Sequence, residues 1–190
     1  MTKFVFAALV LAAAAISTAA QRYEDPARVI AAQREAMKPL AVLDGVSRGP
    51  AWSILPSGEK RYVTQTERVG PFLDGSVRVV EGKGYEADGR VGFNSFATIS
   101  YDTAKKTYNL RSYAMGRTGD FVLTPTADGV IWDIPAGPMI IRHTVTIKDG
   151  VWREVGHHIM PGKDPVQVLE INLKRIGDSD WPAAGSVSPK

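Results

Sequence analysis

Apolar and polar residues alternate with a period of two through most of this chain, and the clearest stretch is Phe93–Phe121. Two apolar and aromatic runs, Phe96–Tyr101 and Tyr108–Met115, flank the polar insert Asp102–Lys106, which is a hairpin signal. Ser100-Tyr101-Asp102 reads as the entrance to that hairpin, because an Asp ahead of a turn accepts from local N–H groups. A third run follows at once after Gly116–Gly119. The same grammar gives the runs Ala51–Leu55, Arg61–Val69, Ser76–Tyr85, Val91–Tyr101, Tyr108–Met115, Asp120–Thr124, Val130–Ile134, Met139–Lys148, Val151–Met160 and Val166–Ile176. Asp-Gly recurs at 44–45, 74–75, 88–89, 128–129 and 149–150, and it supplies the positive φ that tight hairpin turns require. About ten closely spaced strands predict an all-β protein, a meander closed as an antiparallel up-and-down barrel or folded as a sandwich. Closure is the stronger expectation, since it removes exposed edges.

One helix precedes the strands. Residues 24–38 combine an N-capping Asp25, Pro26 at the first helical position and Ala-rich helix formers. Ile30, Gln33, Met37 and Leu40 fall near one face, with Val29 and Ala36 beside them, and Pro39 is expected to end the helix. Such a helix either closes one mouth of the barrel as a lid or plug, or packs on its outside.

Ahead of the helix, Lys3, the apolar run Phe4–Ile16 and the small residues 17–20 have the three-part form of a secretory signal peptide, cleaved after Ala19 or Ala20. That run is shorter than the roughly 17–25 residues that cross a bilayer, so no membrane span is expected after cleavage, and the mature protein is expected in the periplasm or secreted. The expected layout is a signal peptide at 1–20, a helix and linker at 21–44, the barrel at 45–176, and a loose tail at 177–190 ordered only around Trp181. The chain has no cysteine, which excludes thiol chemistry, Cys-ligated zinc and iron–sulfur sites. Its net charge is +3, one unit of it on Lys3, and the signs are interspersed. Nucleic-acid binding needs a basic stripe, so no nucleic-acid partner is expected. A homo-oligomer stays open.

Alternation assigns faces. In the last strand Leu169, Ile171 and Leu173 form the natural interior. In Met139–Lys148, the set Met139, Ile141, His143, Val145 and Ile147 points inward and Arg142, Thr144 and Thr146 outward. In Val151–Met160 the more aliphatic face, Val151, Arg153, Val155, His157 and Ile159, is taken as inner, leaving Trp152, Glu154, Gly156, His158 and Met160 outside. These assignments assume no bulge, and one bulge reverses them. His157 and His158 face opposite ways and cannot chelate one metal together. An inward Arg153 needs a counter-ion, such as Glu67, Glu81 or Asp133, or an anionic ligand held through its guanidinium fork. Gly82-Lys-Gly84 lacks a following helix, so it reads as a bulge or strand crossing rather than a phosphate loop. No nucleophile elbow or His-Glu-x-x-His occurs.

Leu43-Asp-Gly45, Trp52, Ile99-Ser-Tyr-Asp102 with Lys105-Lys-x-Tyr108, Trp152-Arg-Glu154 and the closing Leu169–Arg175 resemble the DUF1579 group of bacterial proteins. That group is similar to the lipocalin-like and nitrobindin-like calycin barrels. The resemblance spans roughly Leu40–Ile176 and implies a ten-stranded barrel with a helix near one mouth; it brings no settled activity. The nitrobindin-like branch binds heme through an axial histidine on the closing strand. Val166–Arg175 contains no histidine, so heme is disfavoured and no cofactor or metal is expected.

The functional expectation is an exported barrel that holds a small hydrophobic molecule, neutral or anionic, in its interior. Its candidate ligand-binding residues are Arg153, His157, His143, Tyr101 and Trp132. Two alternatives stand beside it. One is a small-molecule enzyme that uses His157 or His143 as acid and base, which requires a carboxylate within hydrogen-bond reach. The other is a solid barrel acting through protein contacts at outward Trp152 and Met160.

Overall fold

The computed structural model describes residues 25–181. The expected signal peptide, the start of the helix at Glu24 and the tail beyond Trp181 lie outside them. Helix α1 spans Pro26–Met37, with the Asp25 carboxylate accepting from the Ala27 N–H at 3.1 Å. The α-helix ends at Met37, ahead of Pro39 as expected, and the chain continues as a 3₁₀ segment over Lys38–Leu43. Ten strands follow: β1 (Gly45–Ile54), β2 (Lys60–Phe72), β3 (Val77–Tyr85), β4 (Val91–Asp102), β5 (Thr107–Ala114), β6 (Arg117–Pro125), β7 (Gly129–Ala136), β8 (Met139–Lys148), β9 (Val151–Ile159) and β10 (Val166–Gly177). Each pairs antiparallel with its sequence neighbour, and β1 pairs with β10 to close the barrel.

All ten expected runs are strands. The largest boundary error is at β1, which begins at Gly45 rather than Ala51, because Asp44-Gly45 is not a hairpin turn. It is the junction at which the 3₁₀ segment becomes strand, and Asp44 is held there by Arg78 (Nε–Oδ1 2.8 Å). At 149–150 the Asp-Gly rule works as read: both residues take positive φ, 52° and 73°, in the two-residue link from β8 to β9.

The helical segment closes one end of the barrel. Met37, Leu40 and Leu43 are buried and join Val69, Ile99, Leu123, Val130, Val145, Trp152 and Leu173 in one apolar cluster. The Tyr108 hydroxyl donates to the Ala36 carbonyl at 2.6 Å, and Arg78 Nη1 donates to the Met37 carbonyl at 2.6 Å. These bonds satisfy carbonyls that the last helical turn leaves without intrahelical donors. Ile30, read as part of the packing face, is exposed, since the short helix meets the barrel mainly through its last turn. On the outer wall Trp181 packs against Phe72, with ring centroids 5.7 Å apart, and beside Arg68.

Candidate functional site

Above this apolar plug the barrel encloses a cavity of about 370 Å³. Its walls are mostly aliphatic and aromatic, including Val63, Ile99, Leu110, Phe121, Trp132 and Leu169. Besides Arg61 and three serines, the lining includes a polar cluster that sequence alternation did not bring together: Gln65 and Glu67 from β2, His143 from β8 and Glu154 from β9. Gln65, Glu67 and Glu154 are buried.

Two contacts organise them. Gln65 Nε2 donates to Glu67 Oε1 at 2.7 Å. His143 Nδ1 lies 2.8 Å from Glu154 Oε1, with side-chain exposures of 14% and 10%. The His143 ring also stacks on Trp132, with centroids 4.7 Å apart and planes within 8°. A hydrogen bond at Nδ1 together with a flat stacking partner fixes both the direction and the plane of the imidazole, which leaves Nε2 as its free ring nitrogen. Burial pushes the Glu67 carboxyl up to about 8, and the nearby Glu154 charge adds to the rise, against the Gln65 hydrogen bond. A neutral carboxylic acid at neutral pH is a hydrogen-bond donor as well as an acceptor.

Small residues opposite make room for this cluster. Gly82 pairs with Glu67 and Gly84 with Gln65. A Cβ at Gly82 would sit 2.7 Å from Glu67 Oε1 and 2.6 Å from Ser95 Oγ, and one at Gly84 would sit 3.0 Å from Gln65 Oε1. Gly82-Lys-Gly84 therefore serves the interior: a register shift does occur between Gly84 and Tyr85, but the missing side chains matter more. Gly156, the register partner of His143 on β8, is tight against Leu169 instead: a Cβ there would sit 3.1 Å from Leu169 Cβ and in ordinary contact with His143.

The expected site residues divide. His143 and Trp132 line the cavity and touch one another. Tyr101 lies at the plugged end, where its ring meets Tyr108 at 4.8 Å and its carbonyl accepts from Gln33; it is not part of the cavity wall. Arg153 is outside, about half exposed and paired with Glu170 at 3.0 Å, so none of Glu67, Glu81 or Asp133 is its counter-ion. His157 is also on the outer face, registered with Arg142. Trp152, expected outside, is buried in the core.

Register explains the reversal. Directly opposed residues in an antiparallel pair share a face. Glu154 opposes Val145 on β8 and Ile171 on β10, and Gly156 opposes His143 and Leu169. Both neighbours therefore turn Trp152, Glu154 and Gly156 inward, whatever the aliphatic content of the other face. For Glu67 a sequence signal did exist: Val63, Gln65, Glu67 and Val69 share one face, and valines at both ends mark that face as interior.

Two arginines reach the inner surface, and both are engaged. Arg61 pairs with Glu86 through Nε at 2.8 Å, and Arg78 is held by Asp44 and the Met37 carbonyl. Among the described residues no group of three or more His, Cys, Asp or Glu side chains is arranged to hold a metal ion. Compared with family models and with curated proteins, the chain matches none.

Proposed function

We propose that this protein is an exported barrel that binds a small hydrophobic molecule in its interior, with the Glu67–Gln65 and His143–Glu154 pairs as the polar end of the site. The supporting observation is the cavity of about 370 Å³, apolar on most of its wall, on which those two pairs converge. Ligand sites in single domains have this character: mostly apolar, with a few placed polar groups that set orientation. The inward groups not already held by an opposite charge are Glu67 and Gln65, since Arg61 and Arg78 are committed to Glu86 and Asp44, so the molecule is neutral or cationic at its polar end rather than anionic. Export rests on Lys3, the apolar Phe4–Ile16 run and the small residues after it, and distant kinship with the DUF1579 group rests on the motifs above. Native mass spectrometry of the purified mature protein, followed by organic extraction, tests the binding role. A retained small molecule is the expected result. Absence of any retained mass, together with no tryptophan fluorescence response to small hydrophobic probes, rejects it.

A second reading is favoured by one contact, His143 Nδ1 at 2.8 Å from Glu154. A carboxylate-oriented imidazole beside a protonated carboxylic acid is equipped to remove a proton next to a carbonyl while Glu67 hydrogen-bonds the developing oxyanion. Solvent deuterium exchange into the methyl group of acetophenone, followed by NMR, tests it. Exchange above buffer that disappears in His143→Gln supports an enzyme, and exchange at the buffer rate removes this reading.

A further inference from the structure

A buried carboxyl either keeps its proton or is partnered by an opposite charge, and the inner face of this barrel holds no uncommitted cation for Glu67 among the described residues. Glu67 accepts from the neutral Gln65, and among the described residues it forms no ion pair. Glu154 has, among the described residues, only His143. Arg61 and Arg78, which also reach the inner surface, are committed to Glu86, Asp44 and the Met37 carbonyl. Neither carboxyl is placed for packing: both stand in a mostly apolar wall, and Gly82 leaves the space that Glu67 occupies.

We infer that the ligand of this cavity is a hydrophobic amine, its ammonium seated between Glu67 and Glu154 and its apolar body against Phe121, Trp132 and Leu169. This rests on the cavity being a ligand site, as proposed above, and adds the chemical class. An ammonium supplies the donors and the positive charge that the carboxyl groups lack, and it is small enough to be enclosed by them. The aromatic wall of Trp132 and Phe121 also suits a cation, through the negative faces of the rings.

The inference carries a proton balance. In the empty cavity Glu67 holds a proton up to about pH 8. An ammonium entering at pH 6.5 makes the ionised carboxylate the favoured form, so the Glu67 proton leaves to solvent as the ion pair forms. The charged and titratable groups around Glu67 are Glu154 on β9, Glu81 on β3 and, hydrogen-bonded to Glu154, His143 on β8.

The test compares 2-phenylethylamine, 2-phenylethanol and phenylacetate, probes of similar size, by isothermal titration calorimetry on the mature protein at pH 6.5. The amine is expected to bind at least tenfold more tightly than the alcohol, with phenylacetate weakest. Repeating the amine titration in buffers of different ionisation enthalpy should report release of about one proton per amine bound. In Glu67→Gln the amine should lose about tenfold while the alcohol is little changed. Should that variant fail to fold, Glu154→Gln and the wild-type proton count decide. An alcohol or acid that binds as tightly as the amine overturns the inference and leaves the cavity a ligand site. Binding of none of the three overturns both.

Discussion

Glu67 is the residue on which most turns. Its carboxyl lies in the barrel interior, raised from the ordinary 4.5 to about 8 by burial first and by Glu154 second. The folded state thus binds the Glu67 proton more tightly than the unfolded chain. Below about pH 4.5 both states hold that proton and no penalty arises. As pH climbs to about 8 only the unfolded state releases it, so stability falls across this window by on the order of a few kcal/mol. Urea unfolding at pH 5 and pH 8 should show this fall in the wild type and a flatter profile in Glu67→Gln; parallel profiles would mean that Glu67 is not a buried acid. Gly82 is the second residue of note. Gly82→Ala puts a methyl group 2.6 Å from Ser95 Oγ and 2.7 Å from Glu67 Oε1; both are ends of side chains that can turn aside, so the expected cost is about 1 kcal/mol, the low end for overpacking. Combining it with Glu67→Ala should recover much of that loss in thermal unfolding, since the two sites share one space. Simple additivity would show that the clash is elsewhere.

Among elements, the helical segment is legible in composition and obscure in its ending. Asp25, Pro26 and the Ala-rich run announce α1, and Pro39 marks where the α-helix stops, but not the 3₁₀ segment that continues past it. A proline is tolerated at the first position of a new helical turn, and the 3₁₀ segment uses Pro39 in that way. The consequence is structural: the continued path delivers Leu40 and Leu43 into the barrel end. Leu40→Ala should therefore cost ~2–5 kcal/mol in chemical unfolding, whereas Ile30→Ala, on the exposed side, should stay within about 0.5 kcal/mol. Equal effects would mean that the helix does not plug the barrel. The β6–β7 seam is the weak join among the strands. Only Leu123–Trp132, Thr124–Ile131 and Pro125–Val130 are registered across it, and Pro135 has no N–H to offer its neighbour. Amide hydrogen exchange should thus be faster at 118–122 and 133–136 than at matching depths of the β3–β4 seam. Uniform protection around the barrel would show that the seam is sealed.

At the scale of the molecule, closure decides which chemistry is inside. Arg153 and Glu154 are chain neighbours with similar prospects in the sequence, yet one is paired in solvent with Glu170 and the other stands in the cavity. Arg153→Gln should change stability by less than about 1 kcal/mol, as exposed ion pairs do, and leave probe binding unaltered; a loss of binding there would place the inner face on the wrong side of β9. Legible in the chain alone were the all-β class, the ten strand runs, the starting cap of the helix and the inward direction of His143 and the Leu169–Leu173 set. Each is a local property: strand and turn propensities, alternation and capping depend on residues a few positions apart. Tertiary structure alone decided that Arg153 and His157 face out, that Tyr101 belongs to the plugged end, and that Gln65, Glu67, His143 and Glu154 meet in one cavity. A strand has two faces of equal geometric standing, and where both carry charge its own pattern cannot choose between them. The choice comes from the register that β8 and β10 impose on β9, which exists only once the sheet has closed on itself.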